Sequence, residues 1–221
     1  MRFMSTNEQR QREIAEILLD INAVALNASD PFTYSSGMRS PIYCDNRLLI
    51  SYPEKRKVIA QAFVDMINEA GIDYDVIAGT ATAGIPHAAW ISDVLSAPMI
   101  YIRGKAKGHG KKNQIEGRLD EGALALIVED LVSTGGSSVE AAFAAREAGA
   151  AVLDCVAIFT YEMEAAKAKF AEAGIHLYTL TTFSVLVDVA LNRGDITEEE
   201  KEKILEWNRD PQEWAAKMGI E

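Results

Sequence analysis

Residues 124–138 read Leu-Ala-Leu-Ile-Val-Glu-Asp-Leu-Val-Ser-Thr-Gly-Gly-Ser-Ser. An unbroken apolar run leads into two acids, and a turn of hydroxyls and glycines follows. The run predicts a buried strand ending at Val128, which sets Glu129 and Asp130 at the carboxyl edge of a sheet. A helix is expected from near Ser137, with Val139, Ala142 and Phe143 toward the core. Between strand and helix, the N–H groups of Ser133 to Ser137 can form an anion nest reinforced by the helix dipole.

The acids decide which phosphate site this is. A P-loop needs Gly-Lys-Ser/Thr, and none is present. A dinucleotide fingerprint places its acid about 20 residues on. Two carboxylates directly before a nest would repel phosphate, so they must face something else: a vicinal diol, a ligand-held divalent metal or, if the turn only caps the helix, solvent. Ribose beside phosphate satisfies both halves.

Outward from this stretch the same grammar repeats. Ala70-Gly71, Ala148-Gly149 and Ala173-Gly174 each close a helix and are followed by an apolar strand. Strands are expected near 76–80, 98–102, 124–128, 152–159 and 175–181. The fold class is therefore α/β: a twisted, mainly parallel five-stranded sheet with helices on both faces. Ligands of such sheets lie at the carboxyl ends of the strands. Before the sheet, Glu8 to Leu26 reads as one amphipathic helix stopped by Asn27 and Asp30-Pro31. The turn-rich segment Phe32 to Arg47 is either a structured surface loop or a wall of a ligand site. After Phe183, Val185 to Leu191 predicts a short apolar helix. Thr197 opens a further helix with a Thr-x-x-Glu capping box, and Asp210-Pro211 precedes a last one bearing Trp214. The charge run Glu198 to Lys203 reads as a solvated face. We expect one domain over 1–221, with a core at about 54–183, a hood at about 8–50, and 184–221 packed near it.

The 221 residues carry 22 basic and 33 acidic side chains, a net charge of −11, and 48% of them are apolar. That argues against nucleic acids or acidic membranes as general partners, since those need a broad basic face. Against this background Tyr101-Ile-Arg-Gly-Lys-Ala-Lys-Gly-His-Gly-Lys-Lys112 stands out. It is either a flexible polyanion clamp able to close over a diphosphate or a solvated connector. Gly79-Thr-Ala-Thr-Ala-Gly-Ile-Pro86 is either a second phosphate-contacting turn or a tight structural one. Cys44 and Cys155 are far apart without a CxxC, which suggests reduced thiols. No spacing joins His87 or His176 to further ligands, so no side-chain metal site is expected. With no apolar signal core or spanning run, a cytoplasmic protein is the expectation.

Together these stretches resemble the orotate phosphoribosyltransferases. Ile127-Val-Glu-Asp-Leu-Val-Ser-Thr-Gly-Gly-Ser137 is similar to the phosphoribosyl-pyrophosphate motif of type I phosphoribosyltransferases. Phe32 to Arg47, Gly79 to Ala88 and Tyr101 to Gly110 narrow the resemblance to the orotate enzymes. It implies a type I phosphoribosyltransferase fold and transfer of phosphoribose from phosphoribosyl pyrophosphate to orotate, giving orotidine 5′-phosphate and diphosphate in pyrimidine synthesis. It implies that Glu129 and Asp130 bind the ribose hydroxyls. Leu131, Val132, Ser133, Thr134, Gly135, Gly136 and Ser137 hold the 5′-phosphate, and Ser133 also reaches orotate. Arg103, Lys107 and His109 contact pyrophosphate, with catalytic weight on Lys107 and His109. Thr80 to Gly84 is the pyrophosphate turn, and Phe32 to Arg47 the orotate-side hood. Mg2+ travels with the diphosphate, held mainly by ligand oxygens and water, and a homodimer carries the basic loop into the neighbouring site. The sequence departs from the commoner bacterial pattern where Ala83, Gly104 and Ser35 replace lysines, Glu129 replaces aspartate, and Tyr161 lies near a usual arginine. A purine phosphoribosyltransferase would keep the opening motif but lack the hood and basic pieces. A phosphoribosyl-pyrophosphate-sensing regulator would need a DNA-binding extension. The length leaves no room for a fused decarboxylase.

Overall fold

The computed structural model describes residues 5–104 and 114–220. Helix α1 (Thr6–Asp20) opens on a capping box: Glu8 N–H donates to Ser5 Oγ at 3.2 Å, and Ser5 N–H donates to Glu8 Oε2 at 2.7 Å. It ends six residues short of the expected Leu26. Asn22 turns the chain with φ 55°, and Val24–Leu26 forms strand β1 instead. Over three residues an apolar run fits a strand as well as a helix. Here the antiparallel partner decides, because Val24 pairs with Cys44 and Leu26 with Ile42.

The hood follows as short pieces: β2 (Phe32–Thr33), β3 (Arg39–Ser40), β4 (Ile42–Cys44), and a 3-10 helix over Asn46–Ser51. Helix α2 (Pro53–Ala70) has proline in its first turn, where a missing N–H costs nothing, and ends on left-handed Gly71 as expected. Then come β5 (Val76–Thr80), α3 (Gly84–Leu95), β6 (Met99–Ile102), β7 (Ile115–Glu116), β8 (Ala125–Val132), α4 (Gly136–Glu147), β9 (Asp154–Thr160), α5 (Glu164–Ala173) and β10 (His176–Thr182). The chain closes with α6 (Phe183–Arg193), α7 (Glu198–Arg209) and α8 (Trp214–Met218).

The main sheet runs β10-β9-β8-β5-β6-β7. Its first five strands in that order are parallel, as expected, and the two-residue β7 adds a sixth, antiparallel edge. Strand residues alternate between two cores. Ile77, Leu126, Val128, Val156 and Ile158 face a core shared with α1, α2, α3 and the C-terminal helices. Val76, Ala78, Ile127, Cys155 and Ala157 face a smaller one with α4 and α5. The helix pairs thus lie on opposite faces because β5-α3-β6 and β8-α4-β9 cross over in opposite directions.

Two further expectations are corrected. Strand β8 continues past Val128 to Val132, pairing with β9 through Leu131↔Phe159 and Val132↔Thr160, so the acids stand inside the strand. Phe143 does not face the core. The buried stripe of α4 is built from Ser138, Val139, Ala141, Ala142 and Ala145, and the ring lies outside against the Arg146 guanidinium. Small residues let α4 approach the sheet closely, leaving no room there for an aromatic ring.

The C-terminal helices hold the hood to the sheet. Trp207 and Trp214 are fully buried, and Trp214 Nε1 donates to the Lys203 carbonyl. Trp207 and Phe183 pack around Tyr161, which stands just after β9. Arg193 pairs with Asp20 at 2.9 Å, fixing α6 to α1. The Thr197 capping box forms with Glu200, and Glu198, Glu199 and Glu202 are exposed.

Candidate active site

From β5 the chain crosses to β6 on one side, and from β8 to β9 on the other. The carboxyl ends of β5 and β8 therefore flank a topological switch point, where α/β sheets bind ligands. Two glycines make the crevice compact. A Cβ on Gly84 would lie 2.3 Å from the Val128 carbonyl oxygen, and one on Gly79 would lie 2.9 Å from Ala88 Cβ. The turn between them contains a cis peptide at Ala81–Thr82. The two close contacts require glycine at 79 and 84, because the start of α3 sits on the strand backbone beneath it.

Glu129 is 5% exposed. Its Oε2 accepts from Ser138 Oγ at 3.2 Å and Ser137 Oγ at 3.4 Å, while Oε1 accepts from the Asp130 N–H at 3.1 Å. Its carboxyl also meets that of Asp130. Burial, then the neighbouring Asp130 charge, push Glu129 up to about 8. Burial likewise raises Asp130 above the usual carboxylate range. Side by side and out of water, the two carboxyls favour holding a proton between them. Asp130 is also where the hood meets the sheet: Asn46 Nδ2 donates to its carbonyl at 2.8 Å, and Asp45 and Arg47 are near enough to act on its charge or feel it.

Beyond the acids, Leu131 is half-buried, Val132 buried, and Ser133 lies with Oγ 4.0 Å from Met163 Sδ. Thr134 and Ser137 are exposed. Gly135 has φ 75°, the left-handed geometry that favours glycine, and Gly136 begins α4. Among the described residues no side chain caps this helix start, which leaves its first N–H groups to an external acceptor. Thr80, Ala81, Arg103, Gln114, Ser137 and Glu140 line one small cavity. The β5–α3 turn, the start of the basic segment and the start of α4 thus converge. Arg103 is already held there, its Nη1 2.8 Å from Glu116 Oε1 and its carbonyl accepting from Gln114 Nε2. Lys107 and His109, with the other loop lysines, lie outside the described residues.

In the hood, Tyr34 Oη donates to the Ile42 carbonyl at 2.7 Å and lies 3.5 Å from Tyr161 Oη. Tyr161, standing near the family's usual arginine, is built into an aromatic cluster. Burial raises the Cys44 thiol and both phenols, so none is a nucleophile at neutral pH. Burial lowers His87 to about 4, and neither of its ring nitrogens has a partner among the described residues. No three His, Cys, Asp or Glu side chains among the described residues are grouped to hold a metal.

Several contributors escaped the sequence reading. Asn46 pins Asp130, Glu116 holds Arg103, Ser138 serves Glu129, and Lys169 reaches Gly136 from α5. Ser138 was adjacent to the motif, and its small polar character was the only signal. The others act across 13 to 84 residues of sequence, which no local pattern reports.

A parallel sheet of this order with a small-residue turn and an acid-nest turn at its switch point defines the phosphoribosyltransferase class. Residues 51–179 match the phosphoribosyl transferase domain. Orotate phosphoribosyltransferase of Coxiella burnetii is 56% identical over 202 residues, which are 91% of this chain and 97% of that one. The chain belongs to the orotate phosphoribosyltransferase family, whose members are pentosyltransferases. Among solved structures, UMP synthase of Leishmania donovani superposes with a TM-score of 0.77 at 30% identity. It covers 90% of this chain, which spans 42% of that longer one. Orotate phosphoribosyltransferase of Aeropyrum pernix gives 0.71 at 27% identity, covering 83% of this chain and 99% of that one. These relatives favour the orotate reading over a purine one.

Proposed function

We propose that the chain transfers the 5-phosphoribosyl group of phosphoribosyl pyrophosphate to orotate, releasing diphosphate and forming orotidine 5′-phosphate. The observation that carries this reading is the convergence of three turns on the β5/β8 crevice. Thr80 and Ala81 of the β5–α3 turn, Arg103 at the end of β6, and Ser137 at the uncapped α4 start line one cavity, and Ser137 Oγ donates to Glu129 of the acid pair. Glu129 and Asp130 accept from the ribose hydroxyls, and Leu131 to Ser137 cradle the 5′-phosphate. Ser133 contacts orotate. Thr80 to Gly84 and Arg103 take the diphosphate, and Lys107 and His109 neutralise it as it leaves.

The reaction breaks the C1–O bond to diphosphate and forms a bond from C1 to the orotate ring nitrogen. The ribose passes through an oxocarbenium-like state, so the protein must orient both reactants and stabilise a departing anion. Orotate brings its own nucleophile, which agrees with raised, inert Cys44, Tyr34 and Tyr161. The acid pair is a hard oxygen donor set of the kind Mg2+ accepts. Mg2+, carried in on the diphosphate and held mainly by ligand oxygens and water, supplies charge neutralisation when bound. The chain's own carboxylates face the ribose beside it.

Two copies pair as a homodimer, each sending its basic segment toward the neighbouring crevice. Support comes from the exposed apolar group Tyr43, Leu48, Ile50 and Tyr52 on the hood and its 3-10 helix. Among the described residues no helix is long and apolar enough to cross a membrane. We place the activity in the cytoplasm, where its small substrates are handled. Its partners are the two small substrates, with no nucleic acid and no membrane. Orotate absorbance should fall on mixing the protein with Mg2+ and phosphoribosyl pyrophosphate. A silent orotate signal beside turnover of a purine base would overturn the assignment.

A further inference from the structure

Two consecutive residues of α5 rest on the two glycines that start α4. A Cβ on Gly135 would lie 3.0 Å from Phe170 Cε2, and one on Gly136 would lie 3.6 Å from Lys169 Nζ. The missing side chains let α5 come close, and they leave the Lys169 ammonium over the open N-terminus of α4. That placement is electrostatically odd. A helix N-terminus carries partial positive charge and disfavours a cation beside it. Lys169 has no compensating acid: among the described residues, each of the other six lysines has a carboxylate 2.6–3.8 Å away, and Lys169 has none. Lys169 is exposed to solvent, so an anion can reach it, and one seated on the α4 start would be attracted by the helix end and the ammonium together.

We propose that Lys169 is a further donor-binding residue, closing the 5′-phosphate cradle from the α5 side. This rests on the reading that residues 131–137 hold that phosphate. It adds a cation to a crevice in which Ala83 and Gly104 stand where related sequences carry lysine. Lys169 acts through phosphate alone, so its effect falls on donor binding and not on the chemical step.

The test compares Lys169→Ala, Lys169→Arg and the neighbouring, Glu164-paired Lys167→Ala. Calorimetry with ribose 5-phosphate and with phosphoribosyl pyrophosphate is run at two salt concentrations, alongside steady-state kinetics and melting of the ligand-free protein. We expect Lys169→Ala to weaken both ligands about tenfold, with a shallower salt dependence, an unchanged kcat and no loss of ligand-free Tm. Lys169→Arg should restore binding, and Lys167→Ala should match the wild type. Equal binding of ribose 5-phosphate by wild type and Lys169→Ala would overturn the role of Lys169 while leaving the cradle intact. Failure of the wild type itself to bind ribose 5-phosphate would overturn the cradle reading and this inference with it.

Discussion

Replacing Glu129 by glutamine separates what the acid pair does for binding from what it does to the fold. Glu129 is raised from 4.5 to about 8, first by burial and then by Asp130. The folded state therefore holds a proton that the unfolded chain releases near 4.5. Between those two values the native state binds more protons, so stability falls as pH rises through the window and levels off above about 8. One pK unit is worth about 1.4 kcal/mol, and the whole shift would set a ceiling of roughly 4–5 kcal/mol. Asp130 shares the proton, so we expect about 2 kcal/mol of this to belong to Glu129. Glutamine keeps the shape, can accept from Ser138, can donate to Asp130, and never ionises. The variant should melt roughly 4–8 °C above the wild type at pH 9 and only slightly above it at pH 5. It should also replace one acceptor oxygen facing the ribose diol by an amide donor, weakening donor binding about tenfold. Thermal melts across pH 5–9, with donor calorimetry at pH 8, measure both. A difference in melting temperature that does not grow with pH, or a variant less stable than the wild type at pH 9, would refute the reasoning.

Other outcomes follow from the same geometry. Lys107→Ala should lower kcat by about 100-fold or more without changing the ligand-free melting temperature, as its proposed role of neutralising the leaving group requires. Unchanged turnover would remove that role. Gly84→Ala forces a Cβ into the Val128 carbonyl oxygen and should cost about 1–3 kcal/mol by denaturant melt, with a lower kcat as the pyrophosphate turn shifts. Wild-type stability in that variant would show that the close approach is not needed. The proposed homodimer would place Lys107 of one copy at the Asp130 of the other, so mixing and re-annealing Lys107→Ala with Asp130→Asn should restore part of the activity. No recovery in proven hybrids would contradict a site completed by the partner subunit.

The parts of the fold that rest on period and punctuation were legible from the residues. Each helix closing on Ala-Gly led to a strand, because left-handed glycine ends a helix wherever the chain must turn back to the sheet. The turn between β8 and α4 was legible because its glycines and hydroxyls mark it locally. Where tertiary pairing decided, local pattern misled. Val24 to Leu26 left the helix for a strand because β4 was there to receive it. Strand β8 ran on to Val132 because β9 extended beside it, which moved Glu129 from an edge to a buried position. Phe143 turned outward because alanines on α4 set the helix too close to the sheet for a ring. The raised carboxyl of Glu129 could not be read from sequence, since burial causes it. Lys169 is the extreme case: its position over Gly136 follows only from how α5 packs on α4.

The central claim is that the β5/β8 crevice binds the donor with its diol on the acids and its 5′-phosphate on the α4 start. A crystal structure of the complex with phosphoribosyl pyrophosphate tests it most directly. The account predicts both ribose hydroxyls within hydrogen-bonding distance of Glu129 and Asp130, and the 5′-phosphate on the N–H groups of Ser133 to Ser137. A donor seated with its diphosphate on those N–H groups, or with its ribose away from the acids, would contradict it.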